Sequence, residues 1–110
     1  MATISENSTF TQIVRFDVEP DSQLALISAI VKEVEPWVCR RPGFLSSTFH
    51  ASLDGRHVVN YAQWKDEASF RGFAQDPEGQ RLQAAIRSVG PSLKPHAIAC
   101  RVVRSIDPAG

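Results

Sequence analysis

The spacing of apolar residues divides the first part of the chain into a strand and a helix. The segment Phe10–Val18 is rich in strand-forming residues and predicts the first strand. Pro20-Asp21-Ser22 breaks this strand and offers a helix cap. Apolar residues then recur at helical spacing from Leu24 to Val38 and predict a buried helix that continues to Arg40. Pro36 removes one helical hydrogen bond, so the helix either kinks there or ends early.

A hairpin is the next predicted unit. Residues 44–53 and 56–64 read as strands around Asp54-Gly55, a dipeptide typical of two-residue turns. Such a turn pairs Leu53 with Arg56, and the numbers of each facing pair then sum to 109. Strand alternation gives one face that is apolar except for one amide: Leu45, Ser47, Phe49, Ala51, Val58, Asn60, Ala62 and Trp64. The opposite face is mixed and polar: Ser46, Thr48, His50, Ser52, His57, Val59, Tyr61 and Gln63.

Two helices and a last strand follow. Asp66 is the predicted cap of a helix over about 66–74, and Asp76-Pro77 opens a helix that Gly90-Pro91 ends. The second of these helices has an inner apolar stripe: Leu82, Ala85, Ile86 and Val89. Ala97–Ile106 predicts the last strand. The order predicts an α+β, ferredoxin-like antiparallel sheet with helices on one face.

The whole chain, residues 1–110, is expected to form a single domain with a core over about 9–106 and frayed polar ends. No helix remains to cover the mixed face that carries Val59, Tyr61 and Gln63. A domain of this size also buries only about two-thirds of its unfolded surface. We therefore expect a homodimer in which these sheet faces pack together, with His50 and Tyr61 at the interface.

Charge and composition exclude several function classes. The 110 residues contain 12 Lys and Arg and 12 Asp and Glu, so the net charge is zero, unlike that of a strongly basic nucleic-acid binder. No apolar run approaches the ~18 residues of a membrane span. The first residues lack the pattern of a signal peptide, which predicts a cytoplasmic protein without nucleic-acid or membrane partners.

The metal-binding residue types have no arrangement typical of a metal site. Cys39 and Cys100 are expected to be free and buried, as is usual for two thiols in a cytosolic protein. His50, His57 and His96 have no zinc-like spacing, and neither CxxC nor HExxH occurs. The sequence also contains no Gly-rich phosphate loop, so we expect a colourless protein without a metal or cofactor.

Several short motifs resemble one known family. They are Pro42-Gly43-Phe44, Phe49-His50-Ala51-Ser52, Asp54-Gly55 and Asn60-Tyr61-Ala62-Gln63-Trp64. This pattern is similar to that of the antibiotic biosynthesis monooxygenases, and the resemblance extends over about residues 10–105. It implies a dimeric α+β barrel with a pocket between sheet and helices in each subunit. It also implies oxidation of an aromatic polyketide-like phenol or quinol to a quinone by O2, without a cofactor.

The resemblance assigns catalytic roles to Asn60 and Trp64, both on the helix-facing side of the predicted hairpin. Their N–H groups would stabilise a developing oxyanion. Phe49 and Phe70 are candidate walls for planar rings, and Arg81 is a candidate substrate-binding residue.

The sequence departs from a family member of an aromatic polyketide pathway at two places. That member has Tyr at the position of Phe70 and Arg near the position of Gln83, where Arg81 or Arg87 is the available substitute. These departures leave two readings open, another substrate or no activity on the substrate of that family member. A non-catalytic dimer that binds a small aromatic is an alternative function. Haem degradation, found on the same fold, ranks lower because residues 65–90 contain no histidine to act as proximal ligand.

Overall fold

Four antiparallel strands with helices on one face form the described part of the chain, residues 9–109 of a computed structural model. The strands are β1 (Phe10–Asp17), β2 (Phe44–Ala51), β3 (His57–Trp64) and β4 (His96–Arg101), in the sheet order β2-β3-β1-β4. The helices are α1 (Gln23–Val34), α2 (Glu67–Ala74) and α3 (Gly79–Val89), with 3₁₀ turns at Pro20–Ser22 and Val38–Arg40. This confirms the predicted ferredoxin-like α+β fold. The expected fraying of residues 1–8 lies outside the described residues.

The ends of the helices differ in detail from the sequence prediction. α1 ends at Val34 because Pro36 cannot continue a helix, and the Ser22 side chain makes no capping hydrogen bond. α3 begins at Gly79, because Asp76 first forms a turn of its own. In that turn, the Asp76 carboxylate accepts the Glu78 N–H (2.8 Å) and its carbonyl accepts the Gly79 N–H (2.9 Å).

Two further expectations are wrong. β4 ends at Arg101, well before the predicted end at Ile106. Cys39 and Cys100 are free as expected, but Cys39 is exposed and Cys100 only half-buried. Neither thiol therefore contributes to a buried core.

The predicted hairpin register is confirmed over most of its length. Phe49 faces Asn60 and Ser47 faces Ala62. The turn is not of the two-residue type, because Gly55 adopts φ +79° and its N–H closes a turn on the Ser52 carbonyl (3.0 Å). The strands therefore end at Ala51 and resume at His57 without a change of register.

A β-bulge at the other end of the hairpin corrects one position. Phe44, not Leu45, faces Trp64, because the register shifts between Phe44 and Ser46. An extra residue in one strand reverses which face its neighbours point to. Leu45 is therefore 52% exposed instead of facing the helices.

The core lies between the sheet and α1, towards one end of the sheet. Phe16 and Val58 from the strands pack with Leu26 and Ile30 of α1 and Ile86 of α3. Apolar burial of this kind stabilises the fold by about 25 cal/mol per Å² removed from water. The other end of the same interface is less completely filled.

The uncovered face of the sheet is more apolar and less open than the sequence indicates. Ile98 of β4, Ile13 of β1 and Tyr61 of β3 face one another in one row across three strands. Gln63, expected at a subunit interface, is only 1% exposed within the protomer and donates to the Thr11 hydroxyl (3.3 Å). The apolar row, and not Gln63, is therefore the surface on this face where we expect a partner to bind.

We expect the protein to be a homodimer at micromolar concentration by light scattering, with this apolar row in the interface. Ile98 is 62% exposed in the protomer, and its burial would favour association. Ile13→Glu should dissociate the dimer, because it places a charge in the contact. Leu24→Glu, on an exposed position of α1, should leave the dimer intact. A monomeric wild type would contradict this prediction.

The N-terminus of α2 carries the predicted Asp66 cap. The Asp66 carboxylate accepts hydrogen bonds from the Ser69 N–H (2.8 Å) and the Ser69 hydroxyl (2.7 Å). These two bonds, the hydroxyl first, lower the pKa of Asp66 from its ordinary value of 3.8. Because the pKa of Asp66 is lower in the folded protein than its ordinary value of 3.8, the ionised carboxylate stabilises the folded protein at pH values above 3.8.

We expect Asp66→Ala to lower the thermal unfolding midpoint at neutral pH, and Asp66→Asn to lower it less, because Asn also caps helices well. The stabilisation by the carboxylate should be lost as the pH falls from 3.8 through the lower pKa of the folded protein. Melting curves across this range measure it. A difference between wild type and Asp66→Asn that persists in acid would contradict the assignment.

Candidate active site

A cavity of about 630 Å³ lies between the helix-facing side of the sheet and the helices. β1 and β3 form its floor, and α2, α3 and the loop between them form its far wall. Nearly all of its lining is uncharged. The strand residues that line it are Gln12, Val14, Phe16, Phe44, Ser47, Asn60, Ala62, Trp64 and Ala97. A volume of this size suits a small organic ligand.

Asn60 lies on the floor of the cavity and is held by one neighbour. The Ser47 hydroxyl on β2 donates to the Asn60 Oδ1 atom at 2.6 Å. This bond fixes the orientation of the amide and leaves its N–H groups without a partner among residues 9–109. Ser47 was on the predicted face, but nothing in the sequence pattern identified it as a partner of the amide.

Trp64 follows at the end of β3 and is surrounded by aromatic rings. It stacks on Phe73 with ring centroids 5.1 Å apart and meets Phe44 edge-on at 5.3 Å and Phe70 at 6.1 Å. Trp64 is only 2% exposed, and its indole N–H makes no hydrogen bond to any residue in the 9–109 range. Edge-on and offset ring contacts of this kind hold the indole in place.

The other predicted site residues divide into two groups. Phe70 lines the cavity together with Asn60 and Trp64. Phe49 faces Asn60 across the strands but packs against the apolar core, outside the cavity lining. Arg81 also lies outside, since its guanidinium pairs with Glu33 of α1 and Glu78, each at 3.4 Å.

Phe44, Phe73 and Gln12 line the cavity but were absent from the predicted set. A bulge turns Phe44 inward, and Phe73 lies on the same helix as Phe70, at a position that helical spacing does place on one face. Gln83 of α3 also lines the cavity, whereas Arg81 and Arg87 do not. Within residues 9–109, no arginine lines the cavity, so neither Arg81 nor Arg87 substitutes there for the arginine that the related family member has near the position of Gln83.

Asp76 is the one lining residue with a formal charge within the described range, and it is paired. Its carboxylate lies 2.6 Å from Arg41, and its side chain is 11% exposed. The ion pair links the loop between α2 and α3 to the segment that precedes β2. The charge of Asp76 is thereby compensated, and the cavity stays apolar with a few amides.

His50 and Tyr61 lie on the opposite side of the sheet. His50 Nδ1 is 3.4 Å from the Val59 carbonyl oxygen, and neither side chain lines the cavity. Across residues 9–109, no group of three or more His, Cys, Asp or Glu side chains is placed to hold a metal ion. Over the same range, no helix combines the length and the apolar character needed to cross a membrane.

Sequence comparison relates the chain to proteins of known activity. The profile described as antibiotic biosynthesis monooxygenase matches residues 9–85. The chain is 43% identical over 106 residues to tetracenomycin-F1 monooxygenase of Streptomyces glaucescens. That match covers 96% of this chain and 92% of the relative.

Structural comparison gives a consistent result. A monooxygenase from the gene ActVA-Orf6 of Streptomyces coelicolor, crystallised with the ligand nanaomycin D, matches with a TM-score of 0.84 and 38% identity. The match covers 93% of this chain and 94% of that one. SnoaB, a cofactor-independent oxygenase of Streptomyces nogalater, matches with a TM-score of 0.71 over 92% of this chain and 99% of its own. At 19% identity, SnoaB supports the fold alone.

Proposed function

The chain belongs to the antibiotic biosynthesis monooxygenase family and is a monooxygenase, and we propose that it oxidises an aromatic polyketide-like phenol or quinol to a quinone without a cofactor. The substrate is a planar hydroxylated aromatic such as an anthrone, and O2 is the oxidant. The observation that carries the proposal is a pair of N–H donors on one apolar cavity floor, Asn60 and Trp64, that have no partner within residues 9–109.

The chemistry needs a substrate that itself gives electrons to O2. Loss of a proton converts a phenol or anthrone into an anion whose negative charge is shared with its oxygen. The Asn60 amide and the Trp64 indole would donate hydrogen bonds to this oxygen and stabilise the anion in a site of low polarity. The proton leaves to solvent, since no histidine of the described residues lines the cavity.

The remaining steps balance with one O2 and no other oxidant. The anion transfers an electron to O2, and the resulting radicals combine to form a carbon–oxygen bond. The peroxy anion takes up one proton from solvent, and the hydroperoxide then loses its terminal OH group together with the hydrogen of the attacked carbon as water, which breaks the oxygen–oxygen bond and leaves a quinone carbonyl. One oxygen atom thus ends in the product and the other in water. The rings of Phe44, Phe70 and Phe73 favour a planar substrate over water in the cavity.

We expect the purified protein, treated with a chelator and free of flavin and haem, to catalyse O2 uptake with a hydroxyanthrone. One O2 should be consumed for each quinone formed, and labelled O2 should place one labelled atom in the quinone. Buffer alone and heat-denatured protein are the controls, because anthrones also oxidise slowly without protein. A rate equal to these controls, or a flavin, haem or metal bound at one equivalent per chain, would contradict the proposal.

A further inference from the structure

Gln12 is a half-buried polar residue of the cavity lining, with a buried Oε1 atom, and the proposed chemistry does not use it. It lies in β1 on the helix-facing side of the sheet. Its Oε1 atom is closed off from solvent and has no hydrogen-bond partner among residues 9–109. Buried acceptors are nearly always paired, because an unpaired one has lost its bonds to water without replacement. An unpaired amide oxygen on a residue of a ligand cavity therefore indicates a hydrogen bond that a ligand completes.

The strand register places Gln12 opposite small side chains. It faces Ala62 of β3 on one side and Ala99 of β4 on the other. Ala62 in turn faces Ser47 of β2. Because alanine ends at its methyl group, these neighbours leave room for the end of the Gln12 side chain to turn. The terminal torsion of a glutamine turns broadly, so its oxygen can face the cavity centre.

The same register fixes how far Gln12 lies from the two donors. Asn60 and Trp64 are the residues on either side of Ala62 on this face of β3, and each is a diagonal neighbour of Gln12. Diagonal neighbours on paired strands lie about 7–8 Å apart. Fused aromatic rings bridge a distance of this scale. One ligand can therefore contact the donors with one oxygen and Gln12 with another.

We propose that Gln12 selects and orients the substrate by accepting a hydrogen bond from a free hydroxyl group on the ring system. This inference rests on the proposed function and narrows its substrate class to aromatics with a second, unblocked hydroxyl. Asn60 and Trp64 supply donors and Gln12 supplies the acceptor, so the ligand binds in one orientation. A methyl ether in place of that hydroxyl leaves Oε1 unpaired, which is how sites that bind a hydroxyl reject its analogue.

The test compares two ligands that differ at one group. Emodin is a trihydroxyanthraquinone, and physcion is the same compound with one free hydroxyl methylated. Isothermal titration calorimetry, at a pH below the pKa of that hydroxyl, gives both dissociation constants. We expect the wild type to bind emodin about tenfold more tightly than physcion, and Gln12→Met to bind both equally. Val14→Ala, which alters the cavity without a polar change, should keep the ratio of the wild type.

A second measurement needs no ligand. Gln12→Met should raise the unfolding midpoint of the empty protein, because it removes the unpaired amide and keeps the volume. A lower midpoint, a wild type that does not prefer emodin, a Gln12→Met protein that keeps the preference, or failure of both ligands to bind would each overturn the inference. If the preference depends on Gln12 but no O2 is consumed, the proposed function alone fails. If O2 is consumed without the preference, the inference about Gln12 alone fails.

Discussion

We expect the Asn60→Ala and Trp64→Phe proteins to oxidise a competent hydroxyanthrone about 10²-fold more slowly than the wild type, with little change in folding stability. Loss of one oxyanion donor costs ~10²–10³ in other enzymes. The lower end applies here, because the deprotonated substrate supplies much of its own reactivity. A 10²-fold loss corresponds to about 2.7 kcal/mol of transition-state stabilisation.

Both changes are mild for the fold. Trp64→Phe keeps an aromatic ring against Phe44 and Phe73 and removes the indole N–H. Asn60→Ala removes the amide and leaves the Ser47 hydroxyl free to turn. Ser47→Ala, which keeps the amide but releases its orientation, should reduce turnover less than Asn60→Ala does.

The measurement is O2 consumption at saturating substrate, alongside thermal unfolding of each variant. His50→Ala is the control on the other face of the sheet, where it should weaken the dimer before it slows the reaction. Loss of turnover in an intact His50→Ala dimer, with Asn60→Ala and Trp64→Phe fully active, would contradict the assignment. The site would then lie on the opposite face of the sheet.

The helix-facing side of β3 was predictable because it needed only local information. Alternation along one strand places Asn60 and Trp64 on one side, and the hairpin sets which residues they face. The predicted register was correct although the predicted turn type was wrong, because the Ser52 N–H still donates to the His57 carbonyl at 3.1 Å. Pairing across a hairpin depends on residue count more than on the geometry of the turn.

The rest of the cavity depends on information that the sequence does not carry locally. The bulge that turns Phe44 inward adds one residue to a strand without a distinctive pattern. The sequence placed Phe49 on the correct face of the sheet. It could not show that α1 covers this end of the face, so that Phe49 packs against the apolar core and does not line the cavity. Gln12 required the pairing of β1 with β3, which joins residues far apart in the chain.

The second large effect that we expect is on stability, at the turn before β2. Gly43 has φ +82°, a conformation that costs about 1–2 kcal/mol for residues with a Cβ. An added Cβ would also collide with the Oγ and Cβ atoms of Ser69. Ser69 cannot easily move, because its N–H and hydroxyl both bind the capping carboxylate of Asp66. Overpacking of this kind costs about 1–3 kcal/mol.

Gly43→Ala should therefore lower the free energy of unfolding by about 2–5 kcal/mol in urea denaturation. The Gly43 carbonyl also accepts the Lys65 N–H (2.7 Å), so a shift of this turn would disturb the adjacent Trp64 and reduce turnover as well. Gly72→Ala is the matched control. An added Cβ there meets no atom within 4 Å inside α2, and it should stabilise the protein by about 0.5–1 kcal/mol.

A double variant separates the two causes at Gly43. Ser69→Gly removes the colliding atoms but not the backbone strain, so Gly43→Ala should cost less in that background than in the wild type. The residual cost, about 1–2 kcal/mol, measures the positive φ alone. Two results would contradict this description: a Gly43→Ala protein as stable as the wild type, or the same loss of stability with and without the Ser69 side chain. In either case Gly43 would not lie against Ser69 of α2.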